Sequence, residues 1–295
     1  MRRRSRRLAP LGAAIALGVS TSAWATPASI DAVQLSGSGA VWDAEAGYTY
    51  GVGGGPCTSS NVGFTPAEEG SVSSFGDAFD GGLFLLVDRV AFDDDDGSGD
   101  LRDELDQLTV GPTRISRLRV TRTDRALEDS PTLRTLVRLE NPTTRAVKAE
   151  ITWDSATGQD GTERTVASDA TKPRRTTPAD DWIVTHGTTD EGSGPDPVIT
   201  MAVYGPGNVG VTGRRVPWAP EDDAATFPDP GCVVFRFDVE VPAGQTRFLL
   251  FFTELRGTTD EATAAAPRFG RVRRASPLME GIGSKVARRI VNWDF

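Results

Sequence analysis

Residues Leu133–Trp153 read LRTLVRLENPTTRAVKAEITW, and their spacing decides the fold class. Leu133, Thr135, Val137 and Leu139 alternate with Arg134, Leu136, Arg138 and Glu140, the period of two that burial of one strand face produces. Asn141-Pro142-Thr143-Thr144 supplies turn chemistry, after which Val147, Ala149, Ile151 and Trp153 alternate with Lys148, Glu150 and Thr152. Two such runs about a short turn predict a hairpin with one buried face. The same period returns at Val233, Phe235, Phe237, Val239 and Val241, and ends at Pro242-Ala243-Gly244. The following RFLLFF is apolar at successive positions, which predicts a central strand covered on both faces.

Further strands are predicted near Ile30–Leu35, Gly82–Phe92, Ile115–Thr123, Trp182–Thr185 and Val198–Tyr204. Strands of this length between Gly, Pro and Asp turns predict an all-β chain, an antiparallel β-sandwich with short C-terminal helices. Thr258 and Glu261 make a capping box ahead of ATAAA, and Ser284 is placed to cap KVARRIV. Apolar Ile290, Val291, Trp293 and Phe295 predict a tail, from about residue 258 to 295, that docks on the sandwich. The stretches Ser168–Asp181 and Gly187–Pro197 read as surface loops too short to be hinges, so residues 26–295 are expected to form one domain.

The N-terminus MRRRSRRLAPLGAAIALGVSTSAWA has five arginines, an apolar run from Leu8 to Val19, and Ala23-Trp24-Ala25, the pattern of an export signal cut after residue 25. Ser5-Arg6-Arg7 fits a twin-arginine signal in part, but Ala9 and Pro10 stand where that signal has bulky apolar residues, and both export routes stay open. The expected location is therefore secreted, periplasmic or cell-surface. No later run is long and apolar enough to span a bilayer. Beyond residue 25 the chain carries 27 Lys and Arg against 41 Asp and Glu, which argues against nucleic acid and anionic membrane as partners. In an oxidising compartment the remaining cysteines, Cys57 and Cys232, are expected to form a disulfide.

The segments TLVRLENPTTRAVKAEITW and DVEVPAGQTRFLLFF resemble paired segments of secreted bacterial immunoglobulin-like β-sandwich proteins, in which N-P-T and P-A-G-Q-T turns lead between strands. The resemblance spans roughly Thr132 to Glu254 and implies a fold and an exported location. It implies no reaction.

Motifs for catalysis are sparse. Gly205-Pro206-Gly207-Asn208-Val209-Gly210 matches G-x-G-x-x-G in form, but VTGRRVPW follows it instead of a helix, so it reads as a loop between strands. The chain has one histidine, His186, and no G-x-S-x-G elbow, and the histidine reads as a surface-loop residue. Enzymes of the galactose-mutarotase type generally use a histidine pair, and a single histidine departs from that pattern. Carboxylate pairs remain: Asp180-Asp181 beside Trp182, and Glu221-Asp222-Asp223 near Trp218, put acids next to aromatics, although both clusters read as solvated loops. Trp153 is expected in the core, whereas Trp218, bracketed by prolines, is the candidate for stacking on a sugar ring.

The stretch Phe92–Asp100, FDDDDGSGD, raises a calcium site as an expectation. Asp93, Asp95, Asp96, Asp100 and Glu104 are its candidate ligands, with Asp94 and Asp103 close by, although glycine occupies the fifth position and the D-x-D-x-D-G spacing is absent. The expectation that follows is an exported, non-catalytic binding or structural surface protein, calcium-stabilised and directed at carbohydrate or another extracellular protein. A carbohydrate-active enzyme of glycosidase type, using a carboxylate pair, is the alternative. Two facing acids in a concave groove would favour the enzyme.

Overall fold

The computed structural model describes residues 26–29, 33–49, 62–65, 70–72, 78–79, 81–92, 98–101, 106–157, 164–168, 179–186, 196–205, 210–215 and 232–295. These contain eighteen strands: β1 (Thr26–Ser29), β2 (Val33–Gly37), β3 (Ala40–Thr49), β4 (Val62–Thr65), β5 (Gly70–Val72), β6 (Gly81–Val87), β7 (Val90–Ala91), β8 (Ser98–Leu101), β9 (Gln107–Ile115), β10 (Leu118–Ala126), β11 (Thr132–Glu140), β12 (Val147–Ala156), β13 (Arg164–Ser168), β14 (Trp182–His186), β15 (Val198–Ala202), β16 (Val211–Arg215), β17 (Cys232–Val241) and β18 (Thr246–Arg256). Nine form one antiparallel sheet in the order β1-β8-β9-β10-β11-β18-β15-β14-β13, and five form a second in the order β16-β17-β12-β6-β7. A smaller sheet, β2-β3-β4 with β5 on β3, contributes Leu35 and Trp42 to the main core. The fold is the antiparallel β-sandwich that the alternation predicts.

The two sheets bury their facing side chains between them. Trp153 of β12 stacks on Phe251 of β18 with ring centroids 4.4 Å apart, and Phe237, Tyr204 and Phe235 extend the same aromatic layer. The strand RFLLFF is covered on both faces, as predicted. Leu249 and Phe251 point into this core, while Phe248, Leu250 and Phe252 point outward into a second cluster with Trp182, Val184, Val198 and Ala202.

The C-terminal segment covers that outer cluster. Helix α1 (Thr259–Ala265) begins at the Thr258 cap, whose hydroxyl accepts from the Glu261 amide as the capping box predicts. A 3₁₀ turn over Ala266–Arg271, another over Pro277–Met279 and helix α2 (Ser284–Ala287) follow. Gly283, not Ser284, caps α2, and the helix is only one turn long because Arg289 and Ile290 leave it to run beside β18. Asn292 then acts as a false strand residue. It accepts from the Leu250 amide at 2.9 Å and donates to the Leu250 and Val203 carbonyls at 2.7 and 2.8 Å. Trp293 is buried and donates its indole N–H to Leu250. Ile290 and Trp293 of this segment lie in the outer cluster with Phe248, Leu250 and Phe252.

Three expectations need correction. The stretch Leu133–Trp153 is not a hairpin: β11 pairs with β10 and β18, whereas β12 pairs with β17 and β6 in the opposite sheet. Asn141-Pro142-Thr143-Thr144 is therefore an arch between sheets, and alternation on one strand face cannot distinguish an arch from a hairpin. Pro242-Ala243-Gly244-Gln245 is a second arch, with Gly244 at φ +65°, alongside the first. Asn141 ties them, donating to the Arg145 and Val241 carbonyls at 2.8 Å each and to Pro242 at 3.2 Å. The predicted strand Ile115–Thr123 is divided by a turn at Ser116-Arg117 into β9 and β10. β9 went unread because Gly111-Pro112 breaks its pattern, and these two residues face only Thr121 across a bulge, where a proline is tolerated. Finally, Gly82–Phe92 is two strands about an Asp88-Arg89 turn, both residues at positive φ.

Candidate functional site

The loop from β10 to β11, Leu127-Glu128-Asp129-Ser130-Pro131, stands opposite the segment Ser276–Glu280 of the C-terminal cover. Between them lies a cleft of about 300 Å³, lined by Leu127, Glu128, Asp129, Ser130, Arg268, Ser276, Pro277, Leu278 and Glu280. Leu127 and Leu278 are buried and give it an apolar floor; Glu128, Asp129 and Glu280 are exposed at its walls. This volume is at the lower end of the range for small-molecule pockets.

One wall is held by charge. Arg125, the penultimate residue of β10, donates to Asp106 at 3.0 Å and reaches Glu280 Oε1 at 3.4 Å. Arg134 on β11 donates to the carbonyls of Leu278 at 3.1 Å and Glu280 at 2.5 Å. Two buried arginines thus clamp the Pro277–Glu280 wall to the outer face of the sheet. Burial, then the neighbouring Arg125, push the Arg134 guanidinium down to about 10, so it stays a cation at neutral pH.

The end of the cleft is a network around Glu254 on β18. This carboxylate is fully buried and takes Arg256 Nε on Oε1 at 2.5 Å and Arg268 Nη2 on Oε2. Thr132, also fully buried, donates to Glu254 Oε2 at 3.0 Å and accepts from Arg268 Nη2 at 2.8 Å and from the Ser130 hydroxyl at 2.9 Å. Desolvation pushes the Arg268 guanidinium down, yet its partly exposed side chain still presents positive charge to the cleft. Ser130 is buried but lines the cleft. Chemically, the site offers carboxylates on two walls, a fixed cation, a serine hydroxyl and an apolar floor.

None of these residues was singled out from sequence. Glu128-Asp129-Ser130-Pro131 reads as a turn, and only the return of the chain some 150 residues later builds the opposite wall. A faint signal was available in Arg134 and Thr132, polar residues on a strand face that the C-terminal tail covers.

The residues singled out from sequence lie elsewhere. Asp93, Asp95, Asp96 and Glu104 fall outside the described residues, as do Cys57, Trp218 and Glu221-Asp222-Asp223. Asp100 is not in a loop but in β8, paired with Pro27 and Thr109. Cys232 opens β17, and its side chain is not among those described. Among the described residues no group of three His, Cys, Asp or Glu side chains is placed to hold a metal ion. Asp180 and Asp181 are buried, not solvated, and Asp181 accepts from Arg214 at 3.2 Å; Trp182 beside them is buried in the outer cluster. His186 is the half-buried last residue of β14, opposite Arg164, and not a loop residue. Trp153 is core, as expected. Gly205 and Gly210 of the formal G-x-G-x-x-G serve packing: a Cβ on Gly205 would strike the Trp293 ring and one on Gly210 the Val291 backbone. No helix among the described residues is long and apolar enough to cross a membrane.

No family model matches the chain, and no curated protein matches it in sequence. Solved structures do. A provisionally named aldose 1-epimerase from Klebsiella pneumoniae aligns at 10% identity over 56% of this chain and 54% of its own, with a TM-score of 0.34. A second provisionally named aldose 1-epimerase, from Escherichia coli K12, aligns at 10% identity over 76% of this chain and 98% of its own, with a TM-score of 0.38. A galactose mutarotase related enzyme from Lactobacillus acidophilus aligns at 8% identity over 55% of this chain and 77% of its own, with a TM-score of 0.29. The chain thus spans about half the length of the first of these. The expectation of a non-catalytic binding or structural surface protein meets a correction here, for the similar structures bear the names of aldose 1-epimerases and a galactose mutarotase related enzyme.

Proposed function

We propose that the protein is a carbohydrate-active enzyme that binds a sugar in the cleft between the β10–β11 loop and the Pro277–Glu280 wall. The observation that carries this reading is the pair of carboxylate-bearing walls: Glu128 and Asp129 on one side and Glu280 on the other, over a floor of Leu127 and Leu278. Glycoside chemistry needs one carboxyl group to protonate the leaving oxygen and a second, across the sugar, to act as base or nucleophile. Glu280 is held by Arg125, and the acids of the β10–β11 loop ride on a strand end, so both walls are anchored to the rigid sheet.

The single histidine favours carboxylates over imidazoles as the working groups. His186 is in β14 and is not among the residues that line the cleft.

The test is a panel of nitrophenyl glycosides for hydrolysis, run beside polarimetry of freshly dissolved glucose and galactose for anomer interconversion, with Glu280→Gln and the double variant Glu128→Gln/Asp129→Asn. Activity of the wild type in either assay that falls by about a hundredfold or more in both variants, with melting temperature retained, supports the reading. Activity insensitive to all three acids moves the site elsewhere, and no activity on any of these sugars rejects the reading.

A further inference from the structure

The direction of the hydrogen bonds at the cleft end is fixed by chemistry. Glu254 carries an arginine on each oxygen, so it is a charged acceptor and cannot donate. Thr132 must therefore spend its one proton on Glu254 Oε2, 3.0 Å away. Its oxygen already accepts Arg268 Nη2 at 2.8 Å, and its second lone pair is taken by Ser130 at 2.9 Å. Ser130 in turn has spent its own proton on Thr132. What the serine presents to the cleft is lone pairs alone, while Arg268 beside it, on the same threonine oxygen, can only donate.

Resting on the sugar-cleft reading above, we infer that Ser130 and Arg268 are the specificity-determining pair of the site, and that they select a free sugar hydroxyl. A hydroxyl gives its proton to Ser130 Oγ and accepts from the Arg268 guanidinium at once. An ether or carbonyl oxygen, or a fluorine, offers no proton and leaves Ser130 unmet. A deoxy position satisfies neither group. An ammonium satisfies Ser130 but is repelled by Arg268. Thr132 and Glu254 act as positioning residues: they touch no ligand, and they set the polarity of the serine.

The experiment is calorimetric binding of D-glucose and D-galactose to the wild-type protein, then of their monodeoxy and monodeoxyfluoro series. At one ring position the hydroxyl should bind at least about tenfold more tightly than either the deoxy or the fluoro analogue, since a site built to bond a hydroxyl rejects an analogue lacking it. Ser130→Ala should erase the preference for hydroxyl over fluorine at that position. Thr132→Val keeps the shape of the side chain, frees the Ser130 proton and should let the fluoro analogue recover toward the hydroxyl. A purely structural role for Thr132 would lower all affinities together and leave the ratio unchanged, which would overturn the inference. So would fluorine and hydroxyl binding alike at every position in the wild type, while the sugar-cleft reading stands. Failure of both parent sugars to bind rejects the reading and the inference together.

Discussion

Arg122 and Asp124 stand two residues apart on the inward face of β10 and meet inside the sandwich with no exposure to water, Nε 2.8 Å from Oδ2. Arg122 also donates to the Leu83 carbonyl at 2.7 Å and lies over the Trp153 ring at 4.9 Å, and Thr135 donates to Asp124. Burial pushes the carboxyl up and the guanidinium down, and their mutual contact opposes both. Removing one partner should be far worse than removing both: Asp124→Ala is expected to cost about 3–5 kcal/mol, whereas Arg122→Met with Asp124→Leu should recover most of that. Urea denaturation of the three proteins checks this. A single variant as stable as the double would mean that the lone arginine finds other compensation.

Tyr204 gives the alkaline prediction. Among the described residues its hydroxyl is buried without a hydrogen-bond partner, and desolvation above all, with Asp181 adding to it, raises its pKa against the opposing pull of Arg214 stacked on the ring at 3.9 Å. The folded protein therefore keeps this proton at a pH where the unfolded chain loses it. The resulting stability is full below about pH 10 and is lost as pH rises beyond that. Absorbance titration of tyrosinate should show a delayed phase that Tyr204→Phe removes. The same variant should be as stable as wild type or more so by about 1 kcal/mol, because it deletes an unsatisfied hydroxyl.

The seating of the tail on β18 predicts a pair of lesions. Trp293→Ala empties a buried site between Phe252 and Gly205 and should cost about 3–5 kcal/mol. Gly205→Ala drives a methyl into the same indole and should cost about 1–3 kcal/mol by overpacking. Since both act at one contact, their effects in the double variant should fall short of the sum, as a double-mutant cycle of thermal melts would record.

Asn141 should be the least replaceable residue of the two arches. Its amide nitrogen donates to three carbonyls, and its oxygen accepts from Thr143 through both N and Oγ1, at 2.9 and 2.7 Å. Asn141→Asp keeps the shape but turns the donor into an acceptor facing carbonyls. A loss of about 2–3 kcal/mol is expected, against about half of that or less for Thr143→Val, measured by chemical denaturation.

Much of the architecture was legible because burial of one strand face writes a period of two. β11, β12 and β17 were read at nearly their true bounds, β18 over Arg247–Phe252 of its Thr246–Arg256, and the Thr258 cap was read as well. What the period does not encode is partnership. Val147–Trp153 alternates identically whether it folds back on Leu133–Leu139 or crosses to the other sheet, and the choice rests on contacts with Phe235 and Phe251 far along the chain. The cleft was illegible for the same reason. Glu128 and Glu280 are ordinary loop acids until Arg125 and Arg134 bring their segments together. Buried Asp180 and Asp181 were misread because adjacent acids usually seek water, and the contact of Arg214 with Asp181 reveals otherwise.

The cover over Phe248, Leu250 and Phe252 is made of residues that follow β18 in the chain. During synthesis the great sheet can therefore assemble with one side still greasy and bare, waiting for Phe269, Ile290 and Trp293 to emerge. Until they do, the nascent protein resembles half a sandwich more than a finished one, and it is at its most adhesive toward other chains. Any chain that bound the bare strip of β18 in that interval would have to leave before the tail could seat, because both would need the same residues.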